Sequence, residues 1–361
     1  MLILFIHEFW KKSMTNFYHS RTILITGSTG FKWSWLSLWL HSLGANVIGY
    51  SLPPNTTPNL FQVIDLEYKI TQIYADINDR ERLQSVCNEY KPEIVFHLAA
   101  QPLVRESYRN PVWTFQTNVM GTINVLEAIR QCESIRWAVL ITTDKVYENL
   151  EKDYAYKESD RLGGHDPYST SKAMDELAIS SYVKSFFMNG EKKIVSVRAG
   201  NVIGGGDWSA ERLIPDIIRA FEKDEPVILR NPDATRPWQH VLEALSGYLM
   251  MGEKIFQDDK YIWAYNFGPD LSDTMSVEEI VQKAIQILGK WEYKIQRDET
   301  MHEAGLLMLD NTKSRELLGW SPRLSIDEAI AWTLEWYRAY ANGKDMKEYS
   351  VRQIEKFLRK K

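Results

Sequence analysis

Cysteine is scarce in this chain, with two copies among 361 residues, Cys87 and Cys132. Neither has a second cysteine or a histidine at the short spacings that zinc sites use, so we expect no metal site. So low a cysteine content suits a reducing compartment, and we expect a cytoplasmic protein.

An excess of positive charge is also missing, because 43 lysines and arginines stand against 48 aspartates and glutamates and the net charge is −5. Affinity for nucleic acid depends on basic surface, so we expect no nucleic-acid partner. Long apolar runs are absent too, since the opening MLILFIHEFWKKS is too short to span a bilayer. We expect no membrane partner, an N-terminal tail over residues 1–20, and Met14 as a plausible start.

The chain is rich in apolar residues, at 44% of the sequence, and in tryptophan, with 13 copies. A chain of this length and composition can bury a large core, as one large domain or as two closely joined ones. We expect most of the aromatic side chains in the core or in the wall of a pocket.

A glycine turn follows the first apolar run. The run Thr22 to Thr26 is typical of a buried parallel strand, and it breaks at the sequence Gly-Ser-Thr-Gly over residues 27–30. The next segment has apolar residues at helical spacing and ends at Gly44, a natural helix stop. Strand, glycine turn and helix together predict the entrance of a dinucleotide fold, where a pyrophosphate lies at the positive end of the helix.

Trp33 departs from this pattern. In the sequence G-x-x-G-x-x-G the last glycine lets the helix lie close to the sheet, and this chain has tryptophan there. Two alternatives remain open: the start of the helix shifts to house the indole, or cofactor binding is impaired.

Further strands are predicted at Asn46 to Ser51 and over residues 93–100. The first ends without a carboxylate for a ribose 2′-hydroxyl, so the usual distinction between NAD and NADP cannot be made. Asp76 ends another short strand and could accept a hydrogen bond from an adenine amino group, whereas Asp79 suits the N-cap of the following helix. His97 is predicted to be a core residue.

The strand over residues 137–142 delivers Thr143, Asp144 and Lys145 to the carboxyl edge of the sheet, where open α/β sheets bind ligands. A helix is predicted from Thr117 to Cys132. Alternation of strands and helices up to about residue 200 predicts an α/β fold with a doubly wound parallel sheet. We predict a dinucleotide-binding domain over 21–200, to which segments near 236–268 return, and a smaller substrate-binding lobe over 201–361.

Tyr168 and Lys172 are four residues apart, so on a helix they lie one turn apart on the same face. A neighbouring ammonium is expected to lower the pKa of the tyrosine, so that the phenol takes and returns protons near neutral pH. The same spacing also occurs by chance on many amphipathic helices. The pair alone therefore does not establish a catalyst.

Assembled, the motifs resemble the extended short-chain dehydrogenases/reductases, in the NAD-dependent epimerase/dehydratase family. The resemblance runs from about Thr22 to Met346 and is carried by TGSTGFKWSWLSLWL, PEIVFHLAAQPLVRESY, TNVMGT, TTDKVY, DPYSTSK, VRAGNVIGGGDW, RLIPDI and RPWQHVLEALSGY. TGxxGF and YxxxK identify only the superfamily. The triplet TDK, with Lys145 where dTDP-glucose dehydratases carry glutamate, is more specific, and it resembles the branch that acts on CDP-glucose.

This resemblance implies a Rossmann fold, a homodimer or homotetramer, and dehydration of CDP-glucose in deoxysugar and O-antigen polysaccharide biosynthesis. Its implied catalytic residues are Thr143, Asp144, Lys145, Tyr168 and Lys172. The implied contacts with NAD are Gly27, Thr29, Gly30, Phe31, Asp76, Ile77, Ala99, Ala100, Asn118, Thr142, Tyr168 and Lys172. The implied contacts with the nucleotide-sugar substrate are Arg105, Asn201, Arg212 and Arg236.

The roles that the resemblance implies divide the reaction among these side chains. Tyr168 removes the proton of the 4-hydroxyl group, and Thr143 hydrogen-bonds the same oxygen. Asp144 protonates the leaving hydroxyl group, for which burial must raise its pKa. Lys145 takes the C5 proton or stabilises the enolate, and Lys172 holds the nicotinamide ribose.

Two competing hypotheses remain. The chain could be another nucleotide-sugar dehydratase or an epimerase; a 4-epimerase shares the hydride step but does not need Asp144 and Lys145. It could also be a non-catalytic scaffold with the same fold if Trp33 blocks NAD binding.

Overall fold

The computed structural model describes residues 14, 16–188, 190–258, 263–289, 292–297 and 304–360. These residues form a seven-stranded parallel sheet whose order is β7-β6-β5-β4-β1-β2-β3. The prediction of a doubly wound parallel sheet is therefore confirmed. The strands are β1 Thr22–Thr26, β2 Asn46–Ser51, β3 Thr71–Tyr74, β4 Ile94–His97, β5 Trp137–Ile141, β6 Lys193–Ala199 and β7 Tyr265–Phe267.

Helices cover both faces of the sheet. In the described part of the chain they are α1 Phe31–Ser42, α2 Leu60–Val63, α3 Arg80–Tyr90, α4 Val104–Arg109, α5 Pro111–Phe115, α6 Gly121–Gln131, α7 Pro167–Tyr182, α8 Leu213–Lys223, α9 Val241–Gln257, α10 Val277–Leu288, α11 Ile326–Ala341 and α12 Met346–Leu358.

The alternation of side chains along a strand explains the two layers of core. In β1, Ile23 and Ile25 face one way and pack in a cluster with α1 and α9. Leu24, between them, faces the other way and packs in a second cluster with α3 and α6. Because apolar residues fill both sets of positions, the strand is buried on both faces, as a parallel sheet requires.

Several predicted helix boundaries agree with the structure. Gly44 has a φ of +81° and follows Leu43, the C-cap of α1, as expected of a glycine that stops a helix. Asp79 caps α3 by accepting a hydrogen bond from the backbone N–H of Arg82. The predicted helix from Thr117 to Cys132 is instead α6 preceded by one π-helical turn, Gln116–Met120.

Small two-stranded pairs lie beyond the main sheet, and most of them use residues after 200. The edge strand β7 also comes from this region and pairs with β6. The proposed domain boundaries stay a prediction. In the part of the chain that the structure describes, no helix has both the length and the apolar character needed to cross a membrane. The small pairs are Val202–Ile203 with Gln239–His240, Val227–Leu229 with Tyr293–Ile295, Thr235–Arg236 with Met275–Ser276, and Ala155–Tyr156 with Met308–Leu309.

Candidate active site

The candidate site lies at the carboxyl edge of the sheet, where β1, β4 and β5 end side by side. The order of the strands reverses between β1 and β4, and ligands of doubly wound sheets bind outside the carboxyl ends of the strands at such a point. The glycine turn follows β1, the residues Leu98 to Ala100 follow β4, and Thr142 to Lys145 follow β5. The fold thus brings together three segments that the sequence predicts to be functional.

Glycine is required where the turn approaches the loop after β4. Gly27 has a φ of +79°, and a Cβ atom at this position would lie 3.0 Å from both the Cα and the nitrogen of Ala99. The hydroxyl of Thr26 accepts hydrogen bonds from the backbone N–H groups of Leu98 and Ala99, at 3.0 and 3.2 Å. These bonds fix the two segments against each other, so the glycine turn and the loop after β4 lie in direct contact.

The structure accommodates Trp33 beside the glycine turn. This helix begins at Phe31, with Gly30 in the N-cap position. The indole edge packs against the glycine turn, because Cδ1 of Trp33 would lie 3.2 Å from a Cβ at either Gly27 or Gly30. The indole therefore packs beside the glycine turn, and the two alternatives for Trp33 stay predictions.

Tyr168 and Lys172 both lie on α7 and are both buried. The helix starts where it does because the carboxylate of Asp166 accepts hydrogen bonds from the backbone N–H and the hydroxyl of Ser169, at 2.9 and 2.5 Å. Pro167 occupies the first position of the helix, where its missing N–H costs nothing. This cap fixes Tyr168 in the first turn of the helix.

The pKa of Tyr168 does not follow the prediction. Burial raises it above the usual value of a phenol, while hydrogen bonding with Thr143 and the positive charge of Arg212 act in the opposite direction. The ammonium of Lys172 is instead paired with the carboxylate of Asp175, with 2.9 Å between Nζ and Oδ2. In this structure burial outweighs the nearby positive charge and the hydrogen bond, so the predicted lowering of the pKa of Tyr168 is not seen.

Asp144 has the environment that an acid needs. The residue is 1% exposed, and burial raises the pKa of its carboxyl group, which Lys145, Thr143 and Arg236 oppose. The hydroxyl of Thr143 donates a 2.9 Å hydrogen bond to Oδ1, whereas Oδ2 has no hydrogen-bond partner among the described residues. One carboxyl oxygen thus remains for a ligand.

Asn118 connects the loop after β4 to α7. Its side-chain oxygen accepts a 2.8 Å hydrogen bond from the backbone N–H of Gln101, and its side-chain nitrogen donates one of 2.8 Å to the hydroxyl of Ser171. Thr142 is similarly engaged, because its hydroxyl donates to the carboxylate of Glu176. These two predicted cofactor contacts brace the walls of the site.

The predicted substrate-binding residues fall into two groups. Arg212 and Arg236 lie near the centre, since the charge of Arg212 acts on Tyr168 and that of Arg236 on Asp144. Arg212 also pairs with Asp207 at 2.9 Å. Of the other two, Arg105 is half-buried in α4, and Asn201 accepts a hydrogen bond through its backbone oxygen from the backbone N–H of Gln239.

Three further residues of the sequence analysis lie beside β3 and β4. Asp76 accepts a 2.9 Å hydrogen bond from the backbone N–H of Asn78, and Ile77 is buried against Gly121. His97 bonds to the hydroxyls of Thr26 and Thr122, and burial lowers its pKa to about 3. The interpretation of His97 as a satisfied core residue is confirmed.

Lys32 and Tyr248 are site residues that the sequence analysis did not single out. The ammonium of Lys32 lies 6.0 Å from the centres of both the Trp33 and the Tyr248 rings. Burial lowers the pKa of Lys32 to about 8, with Arg212 acting the same way and Asp144 opposing. Tyr248 is fully buried, and its hydroxyl has no hydrogen-bond partner among the described residues. The sequence signal for Lys32 was its place directly after the glycine turn.

This fold and this arrangement of Thr143, Tyr168 and Lys172 define an extended short-chain dehydrogenase/reductase. The model of the GDP-mannose 4,6 dehydratase family matches residues 24–333, and the chain belongs to that family. It is 45% identical over 350 residues to a CDP-glucose 4,6-dehydratase of Salmonella typhimurium, which covers 95% of this chain and 98% of the relative. A dTDP-glucose 4,6-dehydratase of Xanthomonas campestris is 26% identical, over 88% of this chain and 93% of the relative.

Solved structures agree on the fold. A dTDP-glucose 4,6-dehydratase from Streptomyces venezuelae, solved with NAD, has a TM-score of 0.78 at 22% identity, over 90% of this chain and 98% of its own. A UDP-glucose 4-epimerase from Thermotoga maritima, solved with UDP-glucose, has a TM-score of 0.77 at 23% identity, over 89% of this chain and 99% of its own. Both dehydratases and epimerases thus share this architecture.

Proposed function

We propose that this chain is a hydro-lyase that dehydrates CDP-glucose to CDP-4-dehydro-6-deoxy-glucose with NAD as its cofactor. The observation that carries the proposal is the 45% identity, over 95% of the chain, to a CDP-glucose 4,6-dehydratase. The buried acid Asp144 beside Tyr168 supports a dehydratase, since a 4-epimerase has no leaving hydroxyl group to protonate.

The glycine turn fits a dinucleotide. No side chain caps α1, so the first backbone N–H groups of the helix suit a pyrophosphate at its positive end. The close approach of Gly27 to Ala99 keeps side chains out of the cleft at this point. Accordingly, the proposed NAD contacts are Gly27, Thr29, Gly30, Phe31, Asp76, Ile77, Ala99, Ala100, Asn118, Thr142, Tyr168 and Lys172.

Arginine suits the other end of the ligand, because its guanidinium group makes forked contacts with a diphosphate. Arg212 is one-third exposed and lies close enough to Tyr168 to affect its pKa, so it is placed for a nucleotide sugar that reaches the tyrosine. The proposed substrate contacts are Arg105, Asn201, Arg212 and Arg236.

In the proposed mechanism, Tyr168 removes the proton of the 4-hydroxyl group, while the hydroxyl of Thr143 hydrogen-bonds the same oxygen. NAD held in the site would supply the hydride acceptor for C4 and, once water has left, the hydride donor for C6, with a proton returning to C5. Lys145 then takes the acidified C5 proton or stabilises the resulting enolate. Asp144 gives its proton to the departing 6-hydroxyl, a role suited to a carboxyl group whose pKa burial raises.

A homodimer is part of the proposal. Helices α5 and α7 and the π-helical turn before α6 carry large apolar side chains on the surface: Val112 is 78% exposed, Leu177 59%, Met120 47% and Met174 40%. Exposed apolar residues grouped on neighbouring helices are typical of a protein interface. A homotetramer would require a second interface. We also propose a cytoplasmic location, supported by two free cysteines, and a role in deoxysugar supply for O-antigen-type polysaccharides.

The test is to incubate the purified protein with CDP-glucose and added NAD⁺, and to measure the alkaline chromophore of a 4-keto-6-deoxy sugar. Parallel incubations with dTDP-, GDP- and UDP-glucose separate the nucleotide preferences. Product from CDP-glucose well above the other three is the expected result. A 4-epimerised sugar without the chromophore would instead favour an epimerase.

The same purified protein also tests the hypothesis of a non-catalytic scaffold. A scaffold would contain no nicotinamide, would show no thermal shift with excess NAD⁺ and would give no product. The Tyr168→Phe variant is the matched control for product formation, because it removes only a single hydroxyl group from the site.

A further inference from the structure

Lys172 has an acidic partner on its own helix. Its ammonium and the carboxylate of Asp175 are 2.9 Å apart, and the two side chains are 5% and 1% exposed. The residues are three positions apart, so one face of α7 carries both. Separating a buried pair of this kind is costly, because each partner would be left as an uncompensated charge. The pairing therefore holds both side chains in place.

The next acid along α7 is engaged elsewhere. Glu176 pairs with Arg198, with 2.9 Å from Nε to Oε1 and 2.8 Å from one terminal guanidinium nitrogen to Oε2. It also accepts from the hydroxyl groups of Thr142 and Ser196. Glu176 therefore balances Arg198, and Asp175 is the acid of this helix that balances Lys172.

We propose that Asp175 is a positioning residue that holds and neutralises Lys172 and thereby sets the pH range in which Tyr168 acts as a base. This inference rests on the proposed function. With Asp175 charged, Tyr168 faces an ion pair; without that charge, it faces a net positive charge one helical turn away. A net positive charge stabilises the phenolate, so loss of the Asp175 carboxylate makes Tyr168 more acidic.

The surrounding charges allow Asp175 this role. Burial raises the pKa of Asp175 to about 6, with Lys172 opposing, so the carboxylate is ionised at neutral pH. His97, which also lies near Lys172, has its pKa lowered to about 3 by burial and is neutral there. In the described part of the chain, other titratable and charged groups that act on Tyr168, Lys172 or Asp175 include Lys32, Asp144, Asp166, Glu176, Arg212 and Tyr248.

The experiment compares the pH profiles of kcat/KM for CDP-glucose in the wild type, Asp175→Asn and Asp175→Glu. In the Asp175→Asn variant, the acidic limb of the profile, where kcat/KM rises with pH, should move to lower pH by about one unit. The reason is that the unbalanced charge of Lys172 shifts the pKa of Tyr168 by about this much. Asp175→Glu should restore the wild-type limb. Glu127→Gln is the matched control, since it breaks another ion pair of the same spacing, with Arg130 on α6, and should leave the limb in place.

An unchanged acidic limb in an active Asp175→Asn enzyme would overturn the inference and leave Asp175 only a structural role, seen as a lower melting temperature. If Asp175→Asn does not fold, Asp175→Ser, which leaves room for a water beside the ammonium, takes its place. If the wild type does not turn over CDP-glucose, the proposed function fails by itself. The inference is then decided by NMR titration of ¹³C-labelled tyrosines, in which the Tyr168→Phe variant identifies the signal of Tyr168. In the Asp175→Asn variant, Tyr168 must begin to ionise at lower pH than in the wild type.

Discussion

The hydroxyl of Thr143 donates a hydrogen bond to one oxygen of Asp144, and the other oxygen of that carboxyl faces Gly200. A Cβ atom at Gly200 would lie 3.1 Å from Oδ2 of Asp144. The same Cβ would lie 2.6 Å from Cγ of Pro237, so only glycine fits at this position. The geometry therefore holds Asp144 by one oxygen and leaves the other buried without a hydrogen-bond partner among the described residues.

Replacing Asp144 with asparagine should slow the loss of water but spare the first oxidation. The amide keeps the shape of the carboxyl group but has no acidic proton to give, and general acid catalysis typically contributes about 10²- to 10⁴-fold. We expect kcat for the 4-keto-6-deoxy product to fall by about that factor, while deuterium from solvent still enters C5 of the substrate. Mass spectrometry measures the exchange. Asp153→Asn, on an exposed loop, is the control, and equal loss of both reactions would contradict this division of roles.

Tyr168→Phe should stop both reactions. Without the phenol, no group takes the proton of the 4-hydroxyl, so the C4 ketone does not form and the C5 proton does not become acidic. We expect product formation and C5 exchange to fall together, by about 10²-fold or more. Measured with the same labelled solvent, a variant that still exchanged C5 at the wild-type rate would remove Tyr168 from the oxidation step.

Local patterns made much of the fold and the edge of the site predictable. The apolar run of β1, the glycines at 27 and 30, and the stop at Gly44 each depend on neighbours within a few residues. The capping boxes that begin at Ser276 and Ser325 are equally local, because their hydrogen bonds span only three residues. Such features are readable without knowledge of the tertiary structure.

The balance of charge inside the site could not be predicted from the sequence. The YxxxK spacing places Tyr168 and Lys172 on one helix as predicted, but the pKa of the tyrosine depends on its burial, and the ion pair of the lysine with Asp175 lies outside the motif. Lys32 and Tyr248 were missed for a similar reason, since α1 and α9 are far apart in the chain and meet only in the folded protein. Electrostatics depends on all neighbours in space, whereas a motif reports neighbours in sequence.

Breaking the buried pair of Glu176 and Arg198 should cost more stability than any surface pair. Both side chains are less than 5% exposed, and removal of one partner leaves a buried charge. For Glu176→Gln we expect the free energy of unfolding to fall by about 3–5 kcal/mol, measured by denaturant titration. Glu348→Gln, which breaks the exposed pair with Arg352, should change it by less than about 1 kcal/mol. Equal effects of the two variants would contradict the argument from burial.

The same pair predicts a dependence of stability on pH. Burial raises the pKa of Glu176, but the charge and hydrogen bonds of Arg198 outweigh it, so the net shift is downward. A carboxyl group with a lowered pKa in the folded state adds stability above its unfolded pKa of about 4.3, and this contribution is lost as the pH falls. The difference in unfolding free energy between wild type and Glu176→Gln should therefore be largest near neutral pH and shrink in acid.

Leu177→Glu should convert the proposed dimer into a monomer. The side chain is 59% exposed on α7, and a charge placed within an apolar interface has to be desolvated without a partner. Light scattering coupled to gel filtration measures the mass. Leu150→Glu, equally exposed but on a loop outside these helices, should leave the mass unchanged. A wild type that already elutes as a monomer would refute the interface.

Trp33→Gly tests whether the indole obstructs the cofactor. With tryptophan in place, Gly27 keeps its positive φ and α1 still begins at Phe31, so the turn retains the form that a pyrophosphate needs. Calorimetry should therefore find the Kd for NAD⁺ within about threefold of the wild type. Stability should fall by about 2 kcal/mol, because the variant loses packed apolar surface and gains a glycine in a helix.

The control for Trp33→Gly is Trp263→Gly, which removes a half-exposed tryptophan from a loop. It should change neither the Kd for NAD⁺ nor the stability strongly. A change of about tenfold or more in NAD⁺ affinity for Trp33→Gly alone would contradict the expectation. Tighter binding would mean that the indole competes with the cofactor for the turn, and weaker binding that the indole supports it. Unchanged affinity with lower stability would instead identify Trp33 as a packing residue that replaces the third glycine without loss of the site.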